Sequence, residues 1–164
     1  MVFTATTQSI GGTEWTASTN GLGFPVTKDN WYAYHYRIAW MGTGATSALK
    51  VAARLVGPGG GIGTQGTYGT QNRYIMHQNV AGDGTGWLGT WGADGHWTDW
   101  TGTKGTHGTI KAVNTGMVTI IEGRLCAGTS GTFSPVWGNR GTGGDIFILP
   151  GSWGWYMDMG KFWV

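Results

Sequence analysis

The chain has 164 residues, the length of one domain able to bury a proper core. Glycine fills 33 positions and only 11% of residues are charged, yet 13% are aromatic and the net charge is +2; intrinsic disorder, which needs weak hydrophobicity and self-repulsion, is excluded. The ten basic residues stand singly, which argues against nucleic acid as a partner, and no apolar run approaches the roughly 20 residues of a membrane helix.

The opening "MVFTATTQSIGG" has neither the basic start nor the apolar centre of a secretory leader, so folding in a reducing cytosol is expected. Residues 1–10 read as an extended N-terminal arm, with weak strands near 2–8 and 12–18. "WYAYHYRIAW", 31–40, carries the clearest period-two pattern. Tyr32, Tyr34, Tyr36, Ile38 and Trp40 fall on one face, the predicted core side. His35 and Arg37 are then expected to point outward, to solvent or a neighbouring subunit.

A second strand, "ALKVAARLV" (48–56), alternates Leu49, Val51, Ala53 and Leu55 against Lys50, Ala52 and Arg54, and stops at "GPGGG". "GIGTQG" (61–66) matches a dinucleotide fingerprint, but the residues after it open no helix to hold a pyrophosphate, so no cofactor is expected. "NRYIMHQ" (72–78) is a short strand. The segments 57–71 and 79–106 are too long for hairpin loops and read as crossovers or surface excursions, with a weak strand near 86–91. "GTIKAVNTGMVTIIEGRL" (108–125) reads as a hairpin about Asn114-Thr115-Gly116, and "GDIFILPGSWGWYMDM" (144–159) as strand, Pro150-Gly151 turn, strand. No segment has helical periodicity. The expected fold is an all-β jelly-roll sandwich of about eight to ten short antiparallel strands with long Gly/Trp-rich loops, a single domain over 1–164.

The tryptophans of "GWLGTWGADGHWTDW" admit three readings: a protein-docking surface, a cap on the protein's own sandwich, or a sugar platform with Asp94, His96 and Asp99 as hydroxyl partners. A chain this poor in charge favours docking, because interface cores are depleted in charge and enriched in Trp. Trp153 and Trp155 point the same way. Expected contact residues are Trp87, Trp91, Trp97 and Trp100, with Val2, Phe3 and Ile10 from the arm.

No catalytic site is expected. Asp94 and Asp99 resemble a glycosidase pair only in composition, and a glycine-rich loop holds two carboxylates poorly. Cys126 with His107 lacks an orienting third group, and being the chain's one cysteine it forms no intrachain disulfide. His35, His77, His96 and His107 are too widely spaced for a metal motif.

"DNWYAYHYRIAWMGTGATSALKVAARLVGPGG" resembles a strand pair of small bacteriophage virion proteins of the jelly-roll, tumour-necrosis-factor-like type, and "IKAVNTGMVTIIEGRL" with "IFILPGSWGWYMDM" resembles their late strands. The likeness covers about residues 28–60 and 107–159 and rests on turn and pattern residues. It implies a structural part of a virion made in the host bacterial cytoplasm. The expected role is a capsid decoration (cement) protein on the outer shell, with the major capsid protein and itself, as a homotrimer, as the partners the resemblance implies. The alternative is a receptor- or glycan-binding module of a head or tail fibre.

Overall fold

The computed structural model describes residues 2–4, 6–12, 16–19, 21–43, 48–56, 71–79, 87–92, 106–109, 117–139 and 144–161, with backbone pairing alone for 2–4, 48, 50, 71–79, 87–92 and 106–109. Every regular element among them is a strand: β1 Val2–Thr4, β2 Gln8–Ile10, β3 Thr16–Ala17, β4 Phe24–Val26, β5 Trp31–Gly42, β6 Ala48–Val56 and β7 Gln71–Asn79. β8 Trp87–Gly92, β9 Thr106–Thr109, β10 Met117–Cys126, β11 Gly131–Asn139, β12 Ile146–Ile148 and β13 Trp153–Gly160 follow.

Two antiparallel sheets pack as a β-sandwich. One runs β1-β13-β5-β10-β7-β8, with β12 beside β5 and β2 beside β12; the other runs β3-β11-β6-β9, with β4 also on β11. Three strands are each broken into two segments that run along one neighbour. β1 pairs with β13 and β2 with β12, β3 and β4 share β11, and β12 and β13 share β5.

The period-two reading of 31–40 holds over all twelve residues of β5, whose even-numbered side chains are buried and odd-numbered ones half-buried. Tyr34 lies 4.8 Å from Phe133 of the opposite sheet, centroid to centroid, so aromatic contact closes the sandwich. Phe24 stacks on Tyr156 (4.2 Å, 6°) and also touches Phe133 at 5.5 Å, fastening β4 to both layers. On β6, Leu49, Val51, Ala53 and Leu55 are buried as expected, but Ala52 and Arg54 on the opposite face are buried as well. With β11 buried from Phe133 to Asn139, the centre of this sheet is enclosed on both sides.

Two expectations are corrected. The 108–125 segment is not a hairpin of paired neighbours, because β9 pairs with β6 in one sheet and β10 with β5 and β7 in the other. Its turn residues lie outside the described ones. The Pro150-Gly151 turn does not reverse the chain either. β12 faces Trp40–Gly42 and β13 continues along β5 from Arg37, so the turn is a jog in one strand. The jog leaves the Ala39 N–H without a backbone acceptor, and Ser152 fills the gap: its Oγ accepts from Ala39 N (2.8 Å) and donates to Ala39 O (3.0 Å), which also accepts from Leu149 N (2.8 Å). Ser152→Ala leaves the Ala39 N–H without its partner; urea unfolding is expected to show a loss of about 1–3 kcal/mol, and no change would remove this role. The weak strand expected near 86–91 is present as β8, which returns along β7 from Asn79↔Trp87 to Tyr74↔Gly92.

A candidate docking face on the eight-stranded sheet

Register builds the site. The odd-numbered residues of β5 turn away from the core, so their partners on β13 and β10 share the outer face. β13 contributes Trp153, Trp155 and Met157; β10 contributes Ile120, Glu122 and Arg124. One cross-strand row runs Trp155, His35, Glu122, Ile75, Trp91 through β13, β5, β10, β7 and β8.

The His35 ring is parallel to the Trp155 indole (1°, centroids 6.1 Å) and close to parallel to Trp153 (24°, 5.2 Å). Its Nδ1 sits 3.4 Å from Glu122 Oε2. Glu122 is half in water, so this pair contributes at most about 1 kcal/mol and serves mainly to orient the imidazole. Arg37 Nη1 donates to Gly151 O at 3.4 Å, tying its head to the strand jog. Trp155 is 37% exposed and Met157 54%, the two exposed large hydrophobic side chains among the described residues. Trp31 and Trp153 lie half-buried on the same face.

The expected contact residues divide. Trp87 and Trp91 are on β8, at the edge of this sheet, opposite Asn79 and Ile75. Val2 and Phe3 are on β1, paired with Trp155 and Gly154. Trp97 and Trp100 lie outside the described residues, as do Asp94, Asp99 and the 61–66 glycine motif. Ile10 is 3% exposed within the sandwich core and pairs with Ile146, so it is a core residue of the chain itself rather than a contact residue. The proposed arm is thus sheet-paired along both β1 and β2.

Sequence reading used Trp153 and Trp155 as general support for contact but did not place them with His35 and Glu122. The available signal was the "WGWYM" alternation, which sets Trp153, Trp155 and Met157 on one side of a strand.

The His35–Glu122 pair on this face has no nucleophilic side chain hydrogen-bonded to it among the described residues. Burial pushes the Cys126 thiol up, and the Asp29 carboxylate adds to the shift, so the thiolate is disfavoured. Its sequence-level companion His107 is on β9, in the other sheet. What the face offers is apolar ring area, a thioether and a few charges, which suits adhesion. No family model matches the chain, and neither a curated protein nor a solved structure does.

Proposed function

We propose that this chain is a non-enzymatic structural protein of a bacteriophage virion: a homotrimeric capsid decoration protein on the outer surface of the shell. It binds across major capsid protein subunits and stabilises the shell by burying apolar and amide area at many weak contacts. The observation that carries this reading is the outer sheet face, where Trp155 and Met157 stand exposed among half-buried tryptophans with few charges. Trp, Met and Arg are enriched at protein interfaces, and Lys, Glu and Asp are depleted there.

Strand order supports the jelly-roll assignment. Counting β1/β2, β3/β4 and β12/β13 as single strands and setting the β7–β8 pair aside, one sheet reads first-eighth-third-sixth. The other reads second-seventh-fourth-fifth, the order produced by two interlocked Greek keys. β7 and β8 then form an insertion that widens the first sheet and carries Trp87 and Trp91 to its edge.

Purified protein mixed with empty phage capsids is expected to co-sediment with them and to stay bound in high salt, because few ion pairs are available for screening. Absence of binding to the shell of its own phage overturns the reading. A second reading, a glycan-binding fibre module, is favoured by the parallel Trp155 and His35 rings beside Glu122, which offer a stacking face and a hydroxyl partner. Sugar-specific binding lost in Trp155→Ala, without capsid binding, selects that alternative.

A further inference from the structure

We infer that the outer face of the eight-stranded sheet recognises a polypeptide surface rich in carboxylates, through Arg124 and Arg73 as an opposed pair with Arg37 nearby. The inference deepens the proposed function and rests on it for the partner's name: the acidic surface is that of the shell. Either can fail without the other.

Register puts the charges together. Arg124 of β10 lies directly opposite Arg73 of β7, so the two arginines share one face as cross-strand partners. Like charges so placed destabilise a sheet, and an anion seated between them relieves that cost. Glu122 stands two residues away on β10, but its Oε2 is 3.4 Å from His35 Nδ1, and Arg124 has no ion pair among the described residues. Arg124 is exposed.

The balance of charge gives the sign of the partner. At the outward positions of β13, β5, β10 and β7 the fixed charges are Arg37, Arg73 and Arg124 against Glu122 alone. Such a surplus attracts an acidic surface and repels a basic one. All of these cations are arginines and none is a lysine. A planar guanidinium meets a carboxylate with two parallel hydrogen bonds and sheds hydration more readily than an ammonium, which suits an enclosed contact.

The surroundings favour polypeptide over other anions. The row of Arg124 continues through Ala33 to Met157, so only a methyl separates the two long side chains. Met157 is 54% exposed, and Trp155 in the next row 37%. The partner must therefore bring apolar side chains beside its acids. Acidic polysaccharides and nucleic acids carry the anions without aliphatic side chains. Enclosure by indole and thioether also limits screening, so salt slows arrival while the bound state persists.

The test uses the full chain on empty capsids of its phage, on intact capsids whose surface carboxylates are amidated with carbodiimide and ethanolamine, and on poly-L-glutamate. Wild type is expected to bind amidated capsids at least ~10-fold more weakly than untreated ones. At low ionic strength it is expected to bind poly-L-glutamate and not poly-L-lysine. Arg124→Glu is expected to weaken binding to untreated capsids and to poly-L-glutamate at least ~10-fold, with circular dichroism unchanged because the side chain is exposed. Glu122→Gln keeps an oxygen for His35 and removes the opposing charge, so it should tighten both, by about 3-fold. Equal binding to untreated and amidated capsids, with Arg124→Glu unchanged, overturns the inference and leaves the decoration reading standing. A chain that binds no capsid but binds poly-L-glutamate through Arg124 removes the decoration reading and sustains the acidic-polypeptide face. Binding to neither overturns both. Preference for alginate over poly-L-glutamate overturns the inference in favour of an acidic glycan.

Discussion

Trp40→Ala is expected to lower the stability of the isolated chain by about 3–5 kcal/mol in urea unfolding. Trp40 is wholly buried, where β5 passes from β13 to β12, and its register partners are Met117 and Ile148. Its Nε1 donates to Thr119 Oγ1 at 3.0 Å, and both groups are shut off from water. Part of the loss is the cavity and part is the polar pair. Thr119→Val separates them: the shape is kept, the indole N–H is left without an acceptor, and a loss of about 1–3 kcal/mol is expected. Adding Trp40→Phe removes the orphaned donor, so the double variant should lose less than the two single losses combined. If Thr119→Val proves neutral, the hydrogen bond does not stabilise the core. Trp137 is the comparison. It is as deeply buried, but its Nε1 has no hydrogen-bond partner among the described residues, so Trp137→Phe loses size without loss of such a bond.

Alkaline pH is expected to lower the stability of the folded chain through Tyr36. Burial pushes the Tyr36 hydroxyl well above its ordinary value of 10.0, with the nearby Tyr34 adding to the shift. Below about pH 10 the phenol keeps its proton in both folded and unfolded chains, and this group adds no pH dependence. Above it the unfolded chain releases the proton while the folded chain retains it. The unfolded state then binds fewer protons, so stability falls as pH rises, by about 1.4 kcal/mol per pH unit for this group. The decline continues until the folded state also titrates. Tyr36→Phe gives up a 3.4 Å contact to Phe133 O and should remove this group's share of the slope above about pH 10. An unchanged slope in the variant would rule Tyr36 out as its source.

The legible parts of the sequence were those written in local periodicity. The two faces of β5 follow from alternation, and the buried row Leu49, Val51, Ala53, Leu55 follows the same way. The outward placement of His35 and Arg37 was readable for that reason. The second buried face of β6 was not, because Ala52 and Arg54 between apolar neighbours look like an ordinary solvent side. Pro150-Gly151 misled for a different reason. The dipeptide specifies a local bend, and whether the chain then reverses or resumes its course depends on what β5 offers; here Ala39 and Ser152 hold it on the same strand. The strand near 86–91 was only weakly marked between glycines, and the β7 ladder, a long-range pairing, holds Trp87–Gly92 as strand.

By itself, then, the sequence determined the all-β class and the positions and inward side of the best-patterned strands, but not β4 or β11, which no alternation marked. Side-chain period, turn residues and the scarcity of helix formers are local properties of the chain. Tertiary structure decided which strands are neighbours. It separated β9 from β10 into different sheets, set β12 and β13 end to end along β5, and drew Ile10 into the core. The same pairing brought Trp155, His35 and Glu122, which lie far apart in sequence, into one row. Such pairings are chosen by burial across the whole sandwich, which no short window of sequence contains.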